Sequence, residues 1–170
     1  MRTLLVVIST CILAAASNVA VALAEEPEVS LKLSVAQSTV KAGAEVKLKI
    51  VLTNLTGHEI EIGRFLAYDG PELEYSFDLR DSQDRKVPLT RYGRALNGTP
   101  DKGDERNDCG DCAGFSEGVG PHETTYDEVV VSKIYDLGKP GKYTIQVSRF
   151  QGNGSHMIVK SNTITLTVTE

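Results

Sequence analysis

The 170-residue chain has no tryptophan, two methionines and three histidines, and aromatic residues make up only 6% of it. A core built from this composition must be packed from aliphatic side chains. Lysine and arginine number 18 against 23 aspartates and glutamates, and they are dispersed along the sequence. A formal net charge of −5 with no basic cluster excludes the usual nucleic-acid-binding surface. No P-loop or dinucleotide fingerprint occurs. Cysteine is scarce as well, with three residues in all, so no dense disulfide framework holds the fold.

Residues 1–24 read as a secretory signal peptide. Arg2 supplies the positive start, an apolar run follows, and Ala22-Leu23-Ala24 precedes the acidic Glu25-Glu26-Pro27. Removal of the leader takes Cys11 with it and leaves residues 25–170 as one exported domain, secreted or periplasmic. After the leader no apolar run is long enough to span a bilayer as a helix, so no membrane span is expected in the mature chain. Cys109 and Cys112 are then the only cysteines left.

Two-residue alternation dominates what remains. Val29, Leu31, Leu33 and Val35 alternate with Ser30, Lys32 and Ser34; Val46, Leu48, Ile50 and Leu52 follow the same pattern, as do Ile60 and Ile62, and Ile164, Leu166 and Val168. About eight strands are expected, near 29–35, 44–54, 58–66, 74–80, 85–90, 124–132, 142–150 and 157–168. Turn residues such as Asp81-Ser82-Gln83-Asp84 punctuate them, and no segment shows a helical stripe. This pattern predicts an all-β fold, an immunoglobulin-like antiparallel β-sandwich of about 7–9 strands, with a closed barrel as the alternative. Residues 91–123 hold seven of the fifteen glycines and have no periodicity, so they read as one long irregular, acidic loop.

The segment Asp136-Leu137-Gly138-Lys139-Pro140-Gly141-Lys142-Tyr143 resembles the corner before the next-to-last strand of immunoglobulin-like sandwiches. The resemblance implies that Tyr143 forms a tyrosine corner, its hydroxyl bonded to backbone just upstream. The order of elements, from Val51-Leu52-Thr53-Asn54 through Phe77-Asp78-Leu79-Arg80-Asp81 to Ser161-Asn162-Thr163-Ile164, looks like the non-catalytic β-domain of secreted lysine-specific metalloendopeptidases. It is also similar to bacterial proteinase inhibitors of sandwich type. A zinc peptidase would need His-Glu-x-x-His, but His58-Glu59 and His122-Glu123 are followed by Ile62 and Tyr126 where the second histidine belongs.

Cys109-Gly110-Asp111-Cys112 is the sharpest local feature. In an oxidising compartment it reads as a disulfide. A redox pair would need a lowered thiol pKa, which Asp108 and Asp111 oppose; half a metal site is the remaining alternative. Asp101, Asp104, Glu105, Asp108 and Asp111 crowd the same loop and are the candidate binding residues. They form a solvated acidic surface or, alternatively, calcium ligands, though their spacing is not that of the helix-loop-helix calcium motif. Asn54-Leu55-Thr56, Asn97-Gly98-Thr99 and Asn153-Gly154-Ser155 are glycosylation triplets placed in expected turns. The sequence therefore predicts an exported, non-catalytic binding domain with no catalytic residues, no cofactor and no resident metal. Its partner is an unidentified protein or extracellular ligand, not nucleic acid. A secreted proteinase inhibitor, or a small periplasmic redox or metal-handling protein using Cys109 and Cys112, are the alternatives.

Overall fold

The computed structural model describes residues 26–65, 70–103, 114–152 and 157–170. Its elements in chain order are β1 (Val29–Val35), β2 (Thr39–Lys41), β3 (Lys47–Asn54), β4 (Ile60–Phe65), a 3-10 turn (Pro71–Glu74), β5 (Ser76–Asp81), α1 (Arg91–Leu96), β6 (Gly114–Val119), β7 (Thr124–Val130), α2 (Val131–Ile134), β8 (Gly141–Phe150), β9 (Ile158–Lys160) and β10 (Ile164–Thr169). One sheet runs β1-β3-β7; a second runs β2-β10-β8-β5, with β9 also on β8; β4 and β6 form a two-stranded ribbon. Pairing is antiparallel except for β2 against β10. The fold is all-β and sandwich-like, as the alternation requires. Leu31, Leu33, Leu48, Ile50, Leu52 and Val129 of the first sheet share one buried cluster with Leu79, Ile145, Val147, Leu166 and Val168 of the second.

The tyrosine corner forms: the Tyr143 hydroxyl donates to the Lys139 carbonyl at 2.7 Å. Other expectations need correction. Residues 85–90 make no strand. Val87 N–H still reaches the Leu79 carbonyl at 3.1 Å, but Pro88 has no N–H to offer, and Leu89 turns away to bridge Tyr135. The expected strand 157–168 is two strands. At the break Asn162 bonds both backbone groups of Leu33, accepting from its N–H at 2.8 Å and donating to its carbonyl at 3.1 Å. One side chain thus substitutes for a strand partner between the sheets.

The expected loop 91–123 contains α1 and β6. Thr90 caps α1 by accepting from Gly93 N–H at 3.0 Å, and its own N–H donates to the Ile134 carbonyl at 2.9 Å. A Cβ on Gly93 would lie 2.1 Å from that Ile134 carbonyl oxygen, so glycine alone allows α1 to touch α2. Three turns of alternation were never available to a six-residue helix, which explains its invisibility in the sequence pattern.

Beyond β3 and β7 the chain continues as β4 and β6, so one long ladder is bent where Thr53 pairs Thr124 and, next, Ile60 pairs Val119. Asn54 pins the bend. It is fully buried; its Nδ2 donates to the carbonyls of His58, Val119 and Gly120 at 2.8–2.9 Å, and its Oδ1 accepts from Thr56 N–H and hydroxyl at 2.8 Å. Asn54 was expected in an exposed turn able to carry a glycan. Its amide is instead committed inside the fold. Asn97 is exposed but donates to the Gly93 carbonyl, and Asn153 lies outside the described residues.

Candidate functional site

On four strands the core-facing register runs past its last aliphatic residue into a polar or charged one. On β4 the phase of Ile60 and Ile62 reaches Arg64. On β8 the phase of Tyr143, Ile145 and Val147 reaches Arg149. On β6 Glu117 shares the side of Val119, and on β7 Thr125 and Asp127 share the side of Val129. The 3-10 turn brings Glu74, and Tyr75 follows it. The bent ribbon folds these groups together at one end of the sandwich.

Arg64 is the hub. Its Nε donates to Glu117 at 2.5 Å, Nη1 to Asp127 at 2.6 Å and Glu74 at 2.8 Å, and Nη2 to the Thr125 hydroxyl at 3.3 Å. Arg149 donates to the Gly63 carbonyl at 2.9 Å and to Glu74 at 3.4 Å, with its guanidinium 5.4 Å from the Tyr75 ring centroid. The Tyr75 hydroxyl donates to Asp127 at 2.5 Å. The side chains of Arg64, Arg149 and Glu74 are 8, 5 and 3% exposed, whereas Glu117 is 38% exposed and forms the wet rim. Burial alone would depress the Arg64 pKa, but hydrogen bonds to Asp127, Glu117 and Glu74 outweigh it and hold the guanidinium above its ordinary range. Burial, and then the bond to Asp127, raise the Tyr75 pKa.

Two guanidinium groups thus meet three carboxylates, and their bonds satisfy one another across β4, β6, β7, β8 and the 3-10 turn. Such a cluster clamps the ribbon to the sandwich, because leaving any buried member unpartnered is costly. No motif recognisable in the sequence links these residues. The signal was present as the alternating phase itself, carried two residues past the last apolar position.

Of the acidic candidates, Asp101 is described, and it is a strut: Arg94 grips both its oxygens, Nε to Oδ1 at 2.8 Å and Nη2 to Oδ2 at 2.6 Å. Asp104, Glu105, Asp108, Asp111, Cys109 and Cys112 lie outside the described residues, as does the leader. Among the described residues no group of three or more His, Cys, Asp and Glu side chains is arranged to hold a metal ion. Gly114-Phe115-Ser116-Glu117-Gly118 carries the Gly-x-Ser-x-Gly lettering of a nucleophile elbow. That motif works on a sharp strand-to-helix turn; here Ser116 sits within β6, paired with Gly63.

Fold and site define an all-β sandwich with one end closed by buried charge. No family model matches the chain, and no curated protein does. Among solved structures it is similar to the alkylpurine DNA glycosylase AlkC of Pseudomonas fluorescens, at 12% identity and TM-score 0.42, over 85% of this chain and 31% of that one. It is also similar to a CARDB domain from Pyrococcus furiosus, solved with di-metal ions, at 12% identity and TM-score 0.40 over 86% and 96% of the two chains. A third is BslA, a bacterial hydrophobin, at 9% identity and TM-score 0.35 over 84% and 96%. None reaches the likeness at which function passes from one chain to another. Among the described residues no helix is long and apolar enough to cross a membrane.

Proposed function

We propose that the protein is an exported, non-catalytic binding module that presents the acidic insert 104–113 on a rigid scaffold. The observation that supports this reading is the anchoring of both flanks. On one side Arg94 forks Asp101; on the other Gly114 opens β6 and pairs with Phe65 of β4. Binding segments work best when a stiff frame positions them. A Cys109–Cys112 bridge would pin the insert locally, stabilising it by about 2 kcal/mol on the chain-entropy estimate.

The test is a deletion confined to 104–113, closed by a short Gly-Ser bridge. A wider deletion reaching residue 118 would remove β6 and Glu117 with it. The deleted protein is expected to keep its melting temperature and to lose the extracellular partners that the intact protein captures. An unchanged set of partners would overturn the reading.

The proteinase-inhibitor reading rests on the late Pro140-Gly141-Lys142-Tyr143 turn shared with sandwich-type inhibitors, and the tyrosine corner formed there is common to immunoglobulin-like sandwiches at large. It predicts stoichiometric slowing of an extracellular protease. Lack of inhibition across serine and metalloprotease panels would remove it.

A further inference from the structure

The outer face of the three-stranded sheet assembles cations that the sequence scatters. The register places Lys32, Val51 and Tyr126 in one row across β1, β3 and β7, and Ser34, Lys49 and Glu128 in the next; Lys47 follows on β3. All three lysines are exposed. Tyr126 is 62% exposed, and the Lys49 ammonium stands over its ring, 4.4 Å from the centroid. Lys32 has no ion-pair partner among the described residues, and the Lys47–Glu45 pair, at 3.3 Å, is more than half exposed on both sides and weak. In a chain of net charge −5, this face sets Lys32, Lys47 and Lys49 against the exposed Glu45 and Glu128, an excess of one positive charge beside an exposed aromatic ring.

We propose that this face binds an anionic polysaccharide. Tyr126 stacks against a sugar ring, and Lys32, Lys47 and Lys49 meet the acidic groups of the chain. Charge complementarity selects the sign of the ligand, and the shape of the face selects its class. A protein partner would need several apolar anchors around a dry centre, and the face offers Tyr126 with the half-buried Val51. A bilayer would need several apolar side chains to insert, and beyond Tyr126 this face offers only the half-buried Val51. Three strands about 4.8 Å apart span roughly 10 Å, enough for a short run of sugar rings lying across them. The lysine stems and the ring supply apolar area while their charged heads stay in water. No residue of this surface belongs to the insert 104–113, so it stands or falls independently of the function proposed above.

The test is affinity electrophoresis of the purified protein in gels containing polygalacturonate, with dextran as the neutral control, alongside sedimentation with phosphatidylglycerol vesicles and competition by polyglutamate. Retardation by polygalacturonate and not by dextran is expected. Tyr126→Ala should weaken it about tenfold, Tyr126→Phe should retain it, and K32Q/K49Q should abolish it, all with melting temperatures close to that of the parent because these side chains are exposed. Absence of retardation would overturn the proposal. So would equal retardation of Tyr126→Ala, which would mean charge alone, or tighter binding to the vesicles or to polyglutamate than to polygalacturonate.

Discussion

Arg64 occupies a position that alternation assigns to the core, and it is tolerated there because separate elements bring carboxylates to its guanidinium. Glu74 and Tyr75 come from the turn before β5, Asp127 from β7 and Glu117 from β6. Replacing Arg64 with Met leaves these carboxylates crowded and uncompensated, and should destabilise the fold by about 3–5 kcal/mol in denaturant titration. A loss under 1 kcal/mol would show the clamp to be dispensable. Gly93→Ala tests a different constraint. The added Cβ meets the Ile134 carbonyl at 2.1 Å, so α1 must separate from α2, with an expected cost of about 1–3 kcal/mol. Neither residue stands out in the sequence as important. Arginine on a strand and glycine in a loop are both ordinary until their neighbours are known.

The β4–β6 ribbon is the element whose behaviour these residues control. It hangs from the main sheet at Asn54 and is held at its far end by Arg64 and Arg149. Asn54→Ala removes the bonds to three carbonyls at once and should cost about 1–3 kcal/mol. The loss should be localised: amide exchange should quicken over residues 60–65 and 114–119 while β8 and β10 stay protected. Uniform acceleration across both sheets would instead mean that the ribbon and sandwich unfold together. The ribbon also illustrates what strand patterns conceal. Ile60 and Ile62 announced β4, but β6 contains three small or flexible residues among six, and glycine-rich alternation reads as loop. Its pairing with β4 supplies the order that its own composition lacks.

For the whole molecule, alkaline pH is the most direct probe of how tightly the core is closed. Tyr75, Tyr135 and Tyr143 all have raised pKa values, chiefly through burial, with Asp127 adding to the first and Asp136 and Asp81 to the last. A raised phenol pKa means the fold favours the protonated form. The associated stability is therefore present below pH 10 and declines as pH rises beyond it toward the folded values. Phenolate absorbance should show three of the six tyrosines ionising later than free tyrosine, and Tyr75→Phe should lessen the alkaline loss of stability. Normal ionisation of all six would mean the core admits solvent.

Much of this molecule was decided locally. Alternation of aliphatic with polar side chains commits a segment to a half-buried strand, because each residue must face one of two sides, and Pro140-Gly141-Lys142-Tyr143 turns the chain into β8 through local backbone preference and the bond from the Tyr143 hydroxyl to the Lys139 carbonyl. What the tertiary structure decided is which distant positions share a face or an interior. The charge cluster draws on residues 64, 74, 117, 127 and 149, and the lysine face on residues 32, 47, 49 and 126. Such groupings depend on strand register and on the bend at Asn54. Those follow from hydrogen bonds and packing between segments, which no local pattern encodes.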